Sequence, residues 1–366
     1  MPPHGKHEAL QPIHPSMAGK LDPVFEKLYN DHVANTPLQP IDLAALRTKY
    51  SVLYSYGTGP APDVGRIYDA QIPLDPDADP DADPGPDTHL QVRVYEPDSP
   101  GPWPVHMDFH GGGWGLGDLD TEAHICRHIC QKANVAVVDV AYRLVPEHAF
   151  PTGITDSFAA LRHIALDEGA ARRFNLLPGR ISLGGVSAGG CIALALAHLA
   201  RDHSPRIPVR LVAAGTPVID DLSQYASAAE SPFPSMQQNE FAPTLNWARL
   251  AWFDKLKWSS SSSSSAPSSE TDMRAKAGWF ANLLRAPNLT DLPKTVVYTA
   301  GADPLRDEGE RYARLLVENG VEVTMKRFPG VPHPFMHMDG HLWQARQFID
   351  MTAREIRLAL HDDSIA

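Results

Sequence analysis

A chain of 366 residues is long enough for one large or two small domains, and its formal charge of −12 argues against nucleic acid and anionic membrane as partners. Cys126, Cys130 and Cys191 are too few, and odd in number, for a disulfide framework, and they fit a reducing compartment. The opening MPPHGKHEAL has no apolar secretory core and no stretch approaches the length of a membrane span, so a cytoplasmic protein without stable membrane insertion is expected.

In chain order, residues 1 to 19 read as a polar, proline-bearing arm. Asp22-Pro23 is a helix start, with Leu21, Val24, Phe25, Leu28 and Tyr29 as its apolar stripe, and residues 41 to 50 predict a second helix. Residues 75 to 87 alternate Asp with Pro and Ala; they lack the glycine and terminal glutamate of a calcium loop and read as a solvated, extended insert before a strand at 89 to 95. A strand at 104 to 109 runs into His110-Gly111-Gly112-Gly113-Trp114. Three consecutive glycines let backbone N–H groups approach a substrate oxygen closely.

The stretch from His124 to Cys130 pairs His124 with His128 and Cys126 with Cys130, each four apart, on different faces of a helix. A helix packed on a sheet, with the cysteines as small hydrophobes and no metal, is the expectation. Residues 134 to 141 are nearly all apolar, as a strand buried on both faces requires. In the segment YRLVPEH, 142 to 148, the charged residues are expected to brace loops, and Asp156, on a helix at 155 to 166, is expected to be structural.

The apolar run 180 to 183 then meets Gly185-Val186-Ser187-Ala188-Gly189, the wording of a nucleophile elbow: a serine on a sharp strand-to-helix turn that only small residues can flank. A further strand is expected at 209 to 214. Residues 222 to 290 lose the alternation of strand and helix and carry a dense aromatic segment that lines either a substrate pocket or its own small core; the serine run 259 to 265 reads as a surface loop. Beyond a strand at 295 to 299 lies Asp303-Pro304-Leu305-Arg306-Asp307, and beyond another at 322 to 327 lies His333-Pro334-Phe335. Helices are expected at 306 to 318, with Gly320 past its end, and at 342 to 360. The order Ser, Asp, His is the one the α/β-hydrolase fold uses; Asp307 is a rival to Asp303, but it falls within the following helix.

Together HGGGW, YRLVPEH, GVSAGG, DPLRDEG and HPF resemble the hormone-sensitive-lipase-like family of α/β-hydrolase carboxylesterases over residues 88 to 360. The resemblance implies Ser187 as nucleophile, Asp303 and His333 as triad acid and base, Gly111, Gly112 and Ala188 as oxyanion donors, and no cofactor. Val186 before the serine and Pro334 after the histidine depart from the family's usual residues. They bear on substrate and loop stiffness rather than on the chemistry.

The expected fold is α/β: an α/β-hydrolase fold with a mainly parallel central sheet flanked by helices and a helical cap. Residues 1–55 would form an arm and cap helices, 56–221 and 291–366 the two parts of the core, and 222–290 a cap insertion. Trp114, Phe241 and Trp247 are expected to bind substrate. The activity implied is hydrolysis of short- to medium-chain acyl esters of small molecules; a lactonase or amidase would use the same triad, a homodimer stays open, and a receptor on a retired hydrolase scaffold is disfavoured because all three triad residues are present.

Overall fold

The computed structural model describes residues 10–37, 41–74, 88–259 and 269–362. The acidic stretch 75–87 and residues 260–268 of the serine-rich stretch lie outside the described residues, as do most of the N-terminal arm's first ten.

Eight strands form one sheet: β1 (Arg66–Pro73), β2 (His89–Glu96), β3 (Trp103–Phe109), β4 (Ala136–Ala141), β5 (Leu176–Val186), β6 (Val209–Gly215), β7 (Lys294–Ala300) and β8 (Val323–Phe328). Their order is β1-β2-β4-β3-β5-β6-β7-β8, with β1–β2 and β2–β4 antiparallel and all later pairs parallel. The central strands carry apolar residues on both faces because helices cover both, with His106, Asp108, Asp139 and Ser182 as buried polar exceptions. Val138 and Val140 of β4 and Val212 and Ala214 of β6 join one core, while Val137 of β4 and Leu211 and Ala213 of β6 join the other.

The helices sort accordingly. In chain order they are α1 (Pro23–Tyr29), α2 (Leu43–Arg47), α3 (Tyr50–Leu53), α4 (Ala123–Ala133), α5 (Thr152–Leu166), α6 (Glu168–Arg173), α7 (Ala188–Asp202), α8 (Pro234–Gln238), α9 (Trp247–Lys257), α10 (Glu270–Ala277), α11 (Arg306–Glu318) and α12 (Trp343–His361). Buried residues of α5, α7 and α11 pack in the first core and those of α1, α4 and α12 in the second. Cys126 and Cys130 lie in this second core and all three cysteines are unpaired, so on α4 the cysteines do behave as small hydrophobes.

Three local expectations shift. The helix foreseen over 41–50 breaks into α2 and α3: Asp42 caps α2 through Ala45 N–H at 2.7 Å, but the Thr48 hydroxyl donates to Ala45 O at 2.9 Å, a local bond that competes with continued helix. Of the stripe on α1, Val24 turns outward at 47% exposure while Leu21, Phe25, Leu28 and Tyr29 are buried. Asn134 adopts φ 55°, ψ 51° and ends α4, so β4 starts only at Ala136. Elsewhere the bracing residues sit as the sequence suggests. Asp156 holds Arg143 through its backbone N–H and a two-pronged guanidinium contact, and Glu147 pairs with Arg47, whose guanidinium also reaches Gly115 O and Val145 O.

On α7, buried His198 is hydrogen-bonded through Nε2 to the Tyr312 hydroxyl of α11 at 2.9 Å. Burial, helped by nearby Arg201, pushes the imidazole down to about 4. The unfolded chain therefore takes up a proton here that the folded chain refuses. Stability is full above a pH of about 6.5 and falls as pH drops through about 4, by up to about 3 kcal/mol at about 1.4 kcal/mol per pH unit. His198→Gln is expected to lose less stability than the wild type between pH 7.5 and 4.5, read as urea midpoints; equal losses would contradict this assignment.

Candidate active site

Ser187 occupies the turn between β5 and α7 with φ 59° and ψ −118°, a strained conformation for a residue with a side chain. The backbone around it fixes which neighbours are tolerable. A Cβ at Gly185 would lie 2.3 Å from Phe109 O, and one at Gly189 only 1.7 Å from the same atom. Both glycines thus let β5 and α7 pass against the end of β3, and Ser187 N–H, bonded to Gly215 O at 2.8 Å, ties the turn to β6.

His333, on the loop after β8, directs Nε2 to Ser187 Oγ at 2.8 Å and Nδ1 to Asp303 Oδ2 at 2.7 Å. Asp303, on the loop after β7, is 1% exposed, and its other oxygen accepts Leu305 N–H at 3.0 Å, so the carboxylate is held at both ends. Asp307 is turned elsewhere: it accepts Ser235 N–H at 2.8 Å and pairs with Arg306. The parallel strands bring these three loops to one end of the sheet, where Ser187 and His333 are 9% and 8% exposed. Such a chain of hydroxyl, imidazole and carboxylate can pass a proton from serine to histidine as the oxygen attacks an acyl carbon.

The HGGGW loop wraps the same spot. His110 stacks on Tyr142 with centroids 4.3 Å apart, and the Tyr142 hydroxyl donates to His110 O at 2.8 Å, fixing where the glycines begin. Gly112 and Gly113 take φ of 122° and 59°, and a Cβ on Gly112 would meet Leu116 O at 2.2 Å. Of the three expected oxyanion donors, Gly111 is placed differently from Gly112 and Ala188. Gly111 N–H already donates to Glu122 Oε1 at 3.3 Å, whereas the N–H groups of Gly112, Gly113 and Ala188 have no acceptor among the described residues. Ala188 is the first residue of α7, where N–H groups lack intrahelical partners.

Trp114, Tyr50, Tyr54 and Phe253 supply aromatic surface to the cavity over Ser187, and Leu250 and Met236 line it too. Of the three residues expected to bind substrate, only Trp114 reaches it. Phe241 is 47% exposed and stacks on His14 at 4.1 Å, and Trp247 lines a separate groove with Trp258 and Arg274. The aromatic segment thus divides between packing away from the cavity and the cavity wall, with Phe253 the member that lines the cavity over the serine. It does so because a Cβ on Gly113 would fall 2.3 Å from the Phe253 ring: the glycine makes room for it.

Sequence reasoning missed two buried acids at this site. Glu122 is 1% exposed, and burial, with Asp108 nearby, pushes its carboxyl up to about 8. Glu308 accepts Ile219 N–H at 2.7 Å and Asp220 N–H at 3.3 Å, and burial holds its carboxyl well above the usual range. Nothing in the local pattern signals either, since their partners are backbone amides of loops remote or unremarkable in sequence. Lys257 was likewise missed: its ammonium lies about 5 Å from the rings of Trp114, Phe150 and Trp258, at 5.1, 5.1 and 4.7 Å.

A nucleophile elbow, a histidine and carboxylate behind it, and a glycine loop over a helix N-terminus, all at one end of this sheet, define the hydrolase class of the α/β fold. A family model for the alpha/beta hydrolase fold matches residues 106–337. Esterase LipI of Mycobacterium tuberculosis is 34% identical over 281 residues, which are 76% of this chain and 80% of that protein; carboxylesterase NlhH of the same species is 36% identical over 263 residues, 68% of this chain and 72% of that one. A hyperthermophilic esterase from the archaeon Pyrobaculum calidifontis superposes with a TM-score of 0.74 at 28% identity, covering 93% of this chain and 99% of its own. The chain belongs to the hormone-sensitive-lipase-like family of α/β-hydrolase carboxylesterases. No helix among the described residues is long and apolar enough to cross a membrane.

Proposed function

We propose that this protein is a serine carboxylesterase acting on small-molecule esters with short- to medium-chain acyl groups. The observation that carries the reading is the relay of 2.8 and 2.7 Å from Ser187 Oγ through His333 to Asp303. Ser187 Oγ bonds to the ester carbonyl carbon as its proton passes to His333 Nε2; Asp303 keeps the other imidazole nitrogen protonated. The carbonyl oxygen, now negative, is received by the N–H groups of Gly112, Gly113 and Ala188. The alcohol leaves with the proton from His333. Water then attacks the acyl-serine, gives its proton to the same nitrogen, and releases the acid as Ser187 is reprotonated.

Preference for modest acyl chains is supported by the aromatic side chains of Trp114, Tyr50, Tyr54 and Phe253 around the serine. Three buried, unpaired cysteines suit a cytoplasmic protein. A series of p-nitrophenyl esters from acetate to laurate is expected to give turnover that peaks among the shorter chains and falls by laurate. A peak at laurate would overturn the size assignment, and no turnover on any of them would bring lactones or amides forward, which the same relay would serve.

A further inference from the structure

We propose that His124, His128 and Asp339 form a site for a divalent transition-metal ion, zinc by the chemistry of its ligands, that clamps α4 to the loop carrying His333. His124 and His128 lie one turn apart on the face of α4 opposite its core cysteines, with rings at 74° and centroids 4.8 Å apart. Asp339, six residues beyond His333, meets both: its carboxylate oxygens are 2.8 Å from His124 Nε2 and 3.6 Å from His128 Nε2. The three ligand atoms all lie within 4.8 Å of one another. Ligand atoms held about 2 Å from one tetrahedral ion stand about 3.3 Å apart, so side-chain rotation that draws the 4.8 Å spread in by about 1.5 Å closes the three ligands on an ion.

The bonding of these groups favours an ion over a plain histidine–carboxylate clamp. His124 Nε2, though 2.8 Å from the carboxylate, approaches away from the line its N–H would take, and neither nitrogen of His128 has a hydrogen-bond partner among the described residues although both are buried. Buried polar atoms left unpaired in this way are costly and call for a water or an ion. Two ligands of one ion aim at the metal rather than at each other, which accounts for a short contact with poor hydrogen-bond alignment. Asp339 Oδ1 also accepts Gly59 N–H at 3.0 Å, and Gly340 N–H donates to Gly57 O at 3.0 Å, so the carboxylate is already oriented. Two imidazoles and a carboxylate suit Zn²⁺ and leave its fourth position to water. The ion would join α4 to the His333 loop, and through Asp339 to the turn at 57–59, beside the apolar packing of the second core that α4 and Phe335, Met336 and Met338 already share.

The test uses the full chain stripped with a chelator and titrated with ZnCl₂, then with CoCl₂ as a visible probe. The wild type is expected to bind one equivalent of Zn²⁺, to unfold at higher temperature with it, and to give the d–d absorption of four-coordinate Co²⁺. His128→Gln, whose side chain lies off the cavity, is expected to keep ester hydrolysis and lose Zn²⁺ affinity by more than the roughly 100-fold that losing a ligand's supporting hydrogen bond costs. Asp339→Asn should lose it as well. Absence of a four-coordinate Co²⁺ spectrum in the wild type, or Zn²⁺ binding of equal strength in His128→Gln, as histidines elsewhere in the chain would give, overturns the site.

Discussion

Ser187→Ala is expected to lower kcat/KM for a short-chain p-nitrophenyl ester by about 10⁵-fold, with a thermal unfolding curve close to that of the wild type. The size of the loss follows from what Oγ does. In the proposed mechanism it is the atom that bonds to the acyl carbon, and without it neither His333 nor the N–H groups of Gly112, Gly113 and Ala188 have an acyl-enzyme to form. What survives is the modest help of those donors to direct attack by water. The fold is spared because among the described residues Oγ bonds only to His333 Nε2, while the strained turn is held by Gly215 O and by the absence of side chains at Gly185 and Gly189. A variant that keeps a tenth of the wild-type rate would contradict the assignment of the nucleophile.

Asp303→Asn is expected to cost about 10⁴-fold in kcat while leaving substrate affinity nearly unchanged. The carboxylate accepts the Nδ1 proton at 2.7 Å and thereby leaves Nε2 free to take the serine proton. An amide in its place can turn its NH₂ toward Nδ1, and the imidazole then carries its proton on Nε2, where it faces Oγ and cannot act as a base. Leu305 N–H, which bonds the other oxygen, holds the side chain in the same pose, so geometry survives while the tautomer is wrong. The sequence offers Asp307 as a rival, and Asp307→Asn separates the two. Its carboxylate serves Ser235 N–H and Arg306, so kcat should change by no more than about 10-fold, the scale of an indirect effect. A larger loss in Asp307→Asn than in Asp303→Asn would reverse the assignment.

The parts of this site readable in the sequence are those whose physics is local. A glycine on each side of Ser187, three more after His110, and apolar runs that need cover on two faces each follow from one stretch of backbone, and the structure uses all of them. Asp303 could be preferred over Asp307 because the strand ends just before it. Illegible were the contacts made between stretches far apart. Glu122 takes the N–H of Gly111 across a loop, which no spacing rule conveys, and it is this contact that leads us to propose Gly112, Gly113 and Ala188 as the oxyanion donors. Phe241 and Trp247 share the composition of a pocket lining with Phe253, but only the fold decides which aromatic faces Gly113 and which stacks on His14. His124 and His128 show their spacing plainly, yet their partner Asp339 arrives from the far end of the chain.

The most direct test of the central claim is covalent: the full chain is treated with a p-nitrophenyl alkylphosphonate, digested, and the modified residue located by mass spectrometry. The phosphonate phosphorus takes the place of the acyl carbon, so one adduct per chain is expected, on Ser187, with release of one equivalent of p-nitrophenol and loss of ester hydrolysis in step with labelling. An adduct on another residue, or full inactivation with Ser187 unmodified, would contradict the account.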